Sequence, residues 1–380
     1  MTPERDAVAT VDFGVYVHFP WCRARCPYCD FAIAVAPLEA IPHDRYADHV
    51  LAELAARAPR FEGLRLLSIY FGGGTPALWR ADALGRVRAA IADRFGAPVE
   101  VTVEANPNDC RPEVLGPLAD AGVTRLSIGA QAFRDDDLVF LGRDHDAEAA
   151  ARAYAEARTA GFAEISLDLI CALPGRPIAL DRALELDPGH LSVYQLTIEA
   201  ATPFGQAART GRLVPTPDEE AAADLERVHA RLAAAGYEHY EVSSYARPSH
   251  RAIHNSLYWR GAPYLGLGNG AHSFWNDGLV GLRWAGHRSV VKYLAGRPDP
   301  DLARDGCVTD VTEQDAAALA GDRLWLGMRT SDGVPRALAP ERALGPLVAA
   351  GLVVVEADRI RPTARGLLFA DEIGARLLLE

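Results

Sequence analysis

At 380 residues, with 49% hydrophobic and 24% charged side chains, the chain is long enough for two or three packed domains of roughly 150 residues each, and its composition excludes a disordered protein. Six cysteines exclude a disulfide scaffold, and no apolar run approaches the roughly 18 residues of a membrane-spanning helix. A net charge of −12 weighs against nucleic acid as a partner, because phosphate-binding surfaces carry the opposite sign.

The first residues, Met1 to Asp6, are polar and lack the basic-then-apolar layout of a signal peptide. A cytoplasmic location with reduced thiols is therefore expected. Short apolar, β-branched runs follow at 15–19, 66–71, 99–104, 125–129, 164–170 and 190–197. Helical patterns at 44–57, 81–94, 111–121, 146–159, 178–186 and 217–235 alternate with them. Strands that are apolar on both faces belong to buried parallel sheets. Six βα units in succession predict an α/β fold, a partial (βα)6 relative of the TIM barrel. In such a barrel, function gathers at the C-terminal ends of the strands.

Those ends carry chemistry. After the first run come Cys22, Cys26 and Cys29, three thiols within eight residues. They can form a redox pair (Cys26 and Cys29), a zinc site completed by His18 or His43, or an iron–sulfur cluster with three protein ligands. The second run ends in Gly72, Gly73, Gly74 and Thr75, where glycines let backbone groups approach a ligand closely. The third ends in Glu104 and the fourth in Gln131, with Arg143 soon after. Asp168 is an acid inside the largely apolar fifth run, and such a group needs a partner when buried.

The spacing CxxxCxxC, with the aromatic Tyr28 just before the last Cys, resembles the radical S-adenosylmethionine (SAM) superfamily. The resemblance implies that Cys22, Cys26 and Cys29 hold a [4Fe–4S] cluster whose fourth iron is chelated by SAM. It implies SAM contacts from Tyr16, Tyr28, Gly73, Gly74, Thr75, Glu104, Gln131, Arg143 and Asp168. Reductive cleavage of SAM to a 5′-deoxyadenosyl radical is within that chemistry.

The strings YVHFPWC, GGGTP, EANP and LGRDH are similar to the coproporphyrinogen III oxidase branch. That branch contains the oxygen-independent oxidases and the HemW-type heme chaperones. The oxidase motif continues to a fourth Cys, where this chain has Phe31. The oxidases also have an N-terminal extension, for which the few residues before Tyr16 are too short. Both departures imply that coproporphyrinogen oxidase activity is lacking. His254-Asn255-Ser256-Leu257-Tyr258-Trp259 matches HNxxYW, the chaperones' proposed heme-binding motif. His254 is then the expected axial ligand, through a neutral ring nitrogen, with Tyr258 or Trp259 against the porphyrin face. His272 is a second candidate ligand. Residues 237–293 hold 10 of the chain's 30 aromatic residues, 5 of its 11 His, and a local charge of +3, a composition suited to a flat anionic ligand.

Residues 301–380 read as helices at 313–328, 338–350 and 363–378 around a hairpin at 352–361. This predicts an α+β, winged-helix-like domain. The expected organisation is a barrel over 1–236, a connecting segment with the motif over 237–300, and this domain. The resemblance implies a heme chaperone with a [4Fe–4S] cluster, SAM and heme, and a heme-acceptor protein as partner. It is compatible with a membrane-associated acceptor and with a homodimer. The rival readings are a coproporphyrinogen III oxidase and a zinc-binding winged-helix protein.

Overall fold

The computed structural model describes residues 11–379. Six parallel strands lie side by side in chain order: β1 (Asp12–Phe19), β2 (Arg65–Gly73), β3 (Glu100–Ala105), β4 (Arg125–Gln131), β5 (Glu164–Cys171) and β6 (His190–Gln195). Helices α1 (His43–Arg57), α2 (Ala81–Phe95), α3 (Pro112–Asp120), α4 (Ala147–Thr159), α5 (Asp181–Glu185) and α6 (Asp218–Ala234) alternate with them. Val15, Ile69, Val103, Ile128 and Leu167 are buried along the strands. Each such side chain contributes about 1.5–3 kcal/mol of burial. Helix α4 starts where Asp146 caps the backbone N–H of Ala149 at 2.6 Å.

Helix α5 is shorter than the expected 178–186. The buried Asp224 carboxylate accepts the backbone N–H groups of Ala172 and Ile178. That fixes the loop after β5 and delays the helix.

The segment 237–300 departs most from expectation. It is not merely a connection: it adds strands to both edges of the main sheet. β7 (Glu238–Glu241) and β8 (Ser244–Ala246) extend the β6 edge. After α7 (Ile253–Trp259), β9 (Tyr264–Leu267) pairs parallel to β1. β10 (His272–Asn276), β11 (Gly281–Gly286) and β12 (Val308–Gln314) continue antiparallel. The sheet has 12 strands in the order β12-β11-β10-β9-β1-β2-β3-β4-β5-β6-β8-β7. β12 lies beyond the expected boundary at 301, yet it belongs to this sheet.

The chain then forms α8 (Ala316–Gly327), β13 (Val334–Pro335), α9 (Glu341–Ala349), β14 (Val353–Glu356), β15 (Arg359–Pro362), α10 (Ala364–Leu368) and α11 (Ala370–Leu379). Asp315 caps the N–H of Ala318, so α8 starts after the strand residues Glu313 and Gln314. The expected last helix is broken at Phe369. Leu324, Met328, Leu347, Ile360 and Ile373 form a separate small core, as a helix-and-wing unit requires. Among the described residues no helix is long and apolar enough to cross a membrane.

Candidate functional site

The strand ends open onto one cavity of about 920 Å³, near the top of the range of about 300–1,000 Å³ usual for ligand pockets. Cys22, Cys26, Cys29, Tyr16, Tyr28, Gly73, Gly74, Thr75, Glu104, Gln131, Arg143 and Asp168 all line it. Of the residues expected to hold the cluster, SAM or heme, His254 and Trp259 do not line it.

The cysteine loop is tied down at its base. Trp21–Cys22 pairs with Ala34–Val35, and Gly74 and Thr75 donate backbone N–H bonds to Phe19 and Trp21. A side chain at Gly74 would come within 2.7 Å of the Pro20 and Trp21 backbone, so only glycine fits. The thiols are held from behind. Thr75 Oγ1 donates to Cys22 Sγ at 3.6 Å, and Arg143 Nη1 donates to Cys26 Sγ at 3.3 Å. Asn106 joins these two arms, donating to Thr75 Oγ1 at 3.0 Å and accepting from Arg143 Nη2 at 2.5 Å.

Burial pushes the Cys22 thiol up to about 11, against the lowering effect of its Thr75 hydrogen bond, and raises that of Cys29 too. A bound cation favours the thiolate and so opposes this effect of burial. Among the described residues, no three His, Cys, Asp or Glu side chains converge as a single-ion site does. Ligands of a cluster attach to separate irons and need no such convergence.

Beside the thiols lies a zwitterion-shaped set. Glu104 accepts from Tyr70 Oη at 2.8 Å and from the Gly73 N–H at 3.0 Å, and burial lifts its carboxyl to about 7. It retains lone pairs for an ammonium group. Among the described residues Arg143 Nε is buried without a partner, a donor suited to a carboxylate. Gln131 has φ +64°, a conformation costing of order 1–3 kcal/mol that clusters at ligand sites. Asp168 accepts from Ser127 and Ser166, and burial raises its pKa. A group with an amino and a carboxylate end fits these donors and acceptors.

The same cavity is also lined by Tyr258, Tyr264, His272, Phe274, Arg283 and Trp325. Tyr258 and His272 were singled out in the sequence; the others were not. Trp325 comes from α8, outside any motif, and composition alone hinted at the aromatic content of β9–β11. Arg283 stacks over Phe274 at 4.2 Å and pairs with Asp322 at 2.8 Å.

His254 is placed differently from the other expected site residues. It lies on α7, 1% exposed, between the strands and the cavity wall. Its Nδ1 bonds Ser68 Oγ and its Nε2 bonds Tyr258 Oη, both at 2.8 Å. Glu100 accepts its backbone N–H at 3.0 Å. Burial lowers its pKa to about 3, so the ring is neutral as expected. Both ring nitrogens are hydrogen-bonded, and His254 is not among the residues that line the cavity.

The radical SAM superfamily profile matches residues 16–186. The chain is 40% identical over 294 residues to the heme chaperone HemW of Escherichia coli, covering 75% of this chain and 76% of that protein. It is 35% identical over 381 residues to the heme chaperone HemW of Mycobacterium tuberculosis, covering 96% and 95%. The chain belongs to the HemW-type radical SAM family. Its fold also matches that of the radical SAM enzyme coproporphyrinogen III oxidase (HemN) from Escherichia coli, with a TM-score of 0.78 and 22% identity over 97% of this chain and 90% of the other. Membership of the superfamily implies SAM and a [4Fe–4S] cluster as cofactors.

Proposed function

We propose that this chain is a heme chaperone that binds heme together with a SAM-liganded [4Fe–4S] cluster and transfers the heme to an acceptor protein. The observation that carries the reading is the lining of one cavity: three thiols and a set of groups suited to an amino acid, together with the aromatic side chains of Tyr258, Tyr264, Phe274 and Trp325. Cys22, Cys26 and Cys29 would hold the cluster. Tyr16, Tyr28, Gly73, Gly74, Thr75, Glu104, Gln131, Arg143 and Asp168 would hold SAM. The cofactor pair supplies one-electron reductive chemistry at the sulfonium when bound. The names of the relatives support the heme assignment.

Phe31, 62% exposed at the cavity rim, stands where the oxidases continue their cysteine motif. This supports a chaperone without oxidase turnover. Two anaerobic measurements on the reconstituted protein test the reading. Hemin titration should give a saturable change in the heme absorption spectrum. Incubation with reductant, SAM and coproporphyrinogen III should give no sustained protoporphyrinogen IX. Steady turnover, or no hemin binding, would overturn it. Metal analysis showing zinc without iron and sulfide would favour the zinc-protein alternative.

A further inference from the structure

Asp168 lines the cavity, and buried polar side chains stand behind it. Side chains two apart on a strand share one face, so Ser166 and Asp168 of β5 point to the same side. Strand register sets Ser127 of β4 and His190 of β6 opposite Ser166 on its two neighbours. Ser166 and His190 are both buried. Ser166 Oγ lies 3.2 Å from Asp168 Oδ1 and 2.8 Å from His190 Nδ1. His190 Nε2 lies 2.7 Å from Tyr240 Oη on β7. Ser127 Oγ donates to Asp168 Oδ2 at 2.7 Å.

The available acceptors determine where the protons sit. The buried Tyr240 hydroxyl has two partners among the described residues, the Ala252 N–H and His190 Nε2. The first can only donate, and a buried O–H left without an acceptor is costly. Tyr240 therefore donates to Nε2. Burial holds the His190 pKa well below 6.5, so the neutral ring carries one proton. That proton sits on Nδ1 and is donated to Ser166 Oγ. Ser166 then turns its own hydrogen to Asp168 Oδ1, since Ser192 Oγ is more distant at 3.4 Å. Ala252, Tyr240, His190 and Ser166 form a chain in which every donor points towards one carboxylate, and each bond polarises the next.

Burial raises the Asp168 pKa, and the hydrogen bonds from Ser127 and Ser166 oppose it. They favour the carboxylate and hold both of its oxygens from behind. Lone pairs remain for a donor group in the cavity. We propose that His190 is a positioning residue for SAM: through Ser166 it keeps Asp168 an oriented carboxylate at the cavity wall. The inference rests on the reading that Asp168 contacts SAM. His190 and Ser166 are not among the residues that line the cavity, so they act only through Asp168.

Two measurements on the reconstituted protein test it. Nitrogen NMR of isotope-labelled histidine, with the His190 signal assigned by its loss in His190→Leu, should show the ring protonated at Nδ1. A ring protonated at Nε2 overturns the proposal. Equilibrium dialysis then measures SAM affinity. His190→Leu and Ser166→Ala should each weaken SAM binding about tenfold, the equivalent of one hydrogen bond to a charged group. The double variant should bind no more weakly than either single one, because both cut the same chain. His190→Asn, whose amide N–H can stand in for Nδ1–H, should recover most of the affinity. Circular dichroism and iron and sulfide content should match wild type throughout. The proposal falls if the folded single variants bind SAM like wild type, if their losses add in the double variant, or if His190→Asn binds as weakly as His190→Leu. If wild type itself shows no saturable SAM binding, the SAM reading fails, and the role of His190 with it.

Discussion

Asn106 is the residue on which the cysteine loop's support converges. Its amide donates to Thr75 Oγ1, which bonds Cys22 Sγ, and accepts from Arg143, which bonds Cys26 Sγ. Asn106→Ala removes both links at once. The bond to neutral Thr75 is worth about 1 kcal/mol and the bond to the Arg143 cation about 1.5–3 kcal/mol. Asn106 is only partly buried, so water in the cavity replaces some of this. A loss of about 2 kcal/mol is the expected outcome, measured by denaturant unfolding of the apo protein. The larger effect falls on the cluster. Partners behind metal ligands typically change metal affinity by about 10–100-fold, so iron release to a chelator should accelerate by that order. Asn106→Asp keeps the acceptor for Arg143 and loses the donor to Thr75, and should fall between. Wild-type iron content and chelator resistance in Asn106→Ala would refute the reasoning, because the two cysteines would then need no shared support.

Three further outcomes follow from the same geometry. Ile69→Ala, in the fully buried middle of β2, should cost about 2–5 kcal/mol of stability by transfer and cavity terms, read by denaturant melts. Asp315→Ala removes the cap of α8 and about 1 kcal/mol; because α8 carries Asp322, Trp325 and Leu326 to the cavity, hemin affinity should fall while iron and sulfide content stay unchanged. His254 has its pKa depressed by burial from 6.5 to about 3, so the unfolded state binds its proton first as pH falls. Its contribution is complete above pH 6.5 and declines below it towards pH 3, by up to about 1.4 kcal/mol per pH unit. Apo stability measured across that range should lose this slope in His254→Gln; an identical slope in both proteins would contradict the buried, neutral placement.

The parallel half of the fold was legible because its signal is local. Each run such as Val15 to Phe19 is apolar on both faces, and each is followed by a helical repeat. The strand-end residues were legible for the same reason: parallel strands deliver their C-terminal side chains to one rim, so Glu104, Gln131 and Asp168 had to meet, and Arg143 reaches the same cavity from the loop after β4. The segment after residue 237 was not, because its partners are remote. β9 finds its place against β1 across about 250 residues, and nothing in Tyr264–Leu267 announces that neighbour. The motif around His254 shows the limit most clearly. Sequence spacing puts His254 and Tyr258 one helical turn apart, but which of them faces the ligand depends on the rotation of α7. That rotation is set by Glu100 and Ser68, 154 and 186 residues away.

Other long-range bonds tie the cysteine loop to the β9–β10 turn. Asn269, fully buried in the turn between β9 and β10, donates to the Ala32 carbonyl at 3.1 Å and to the Arg288 carbonyl at 3.2 Å. His18 shares the Ala32 carbonyl, and Tyr46 Oη bonds both Asn269 and the His18 carbonyl. Ala32 lies three residues beyond Cys29, and His272 and Arg288 lie on the cavity wall. The cysteine loop and that wall are thus anchored on one buried amide. A displacement of the loop must either break these bonds, at about 1 kcal/mol each or more, or move the β9–β10 turn with it. The segment expected to be a connection is in this sense tied to the cysteine loop, through Asn269 and the Ala32 carbonyl.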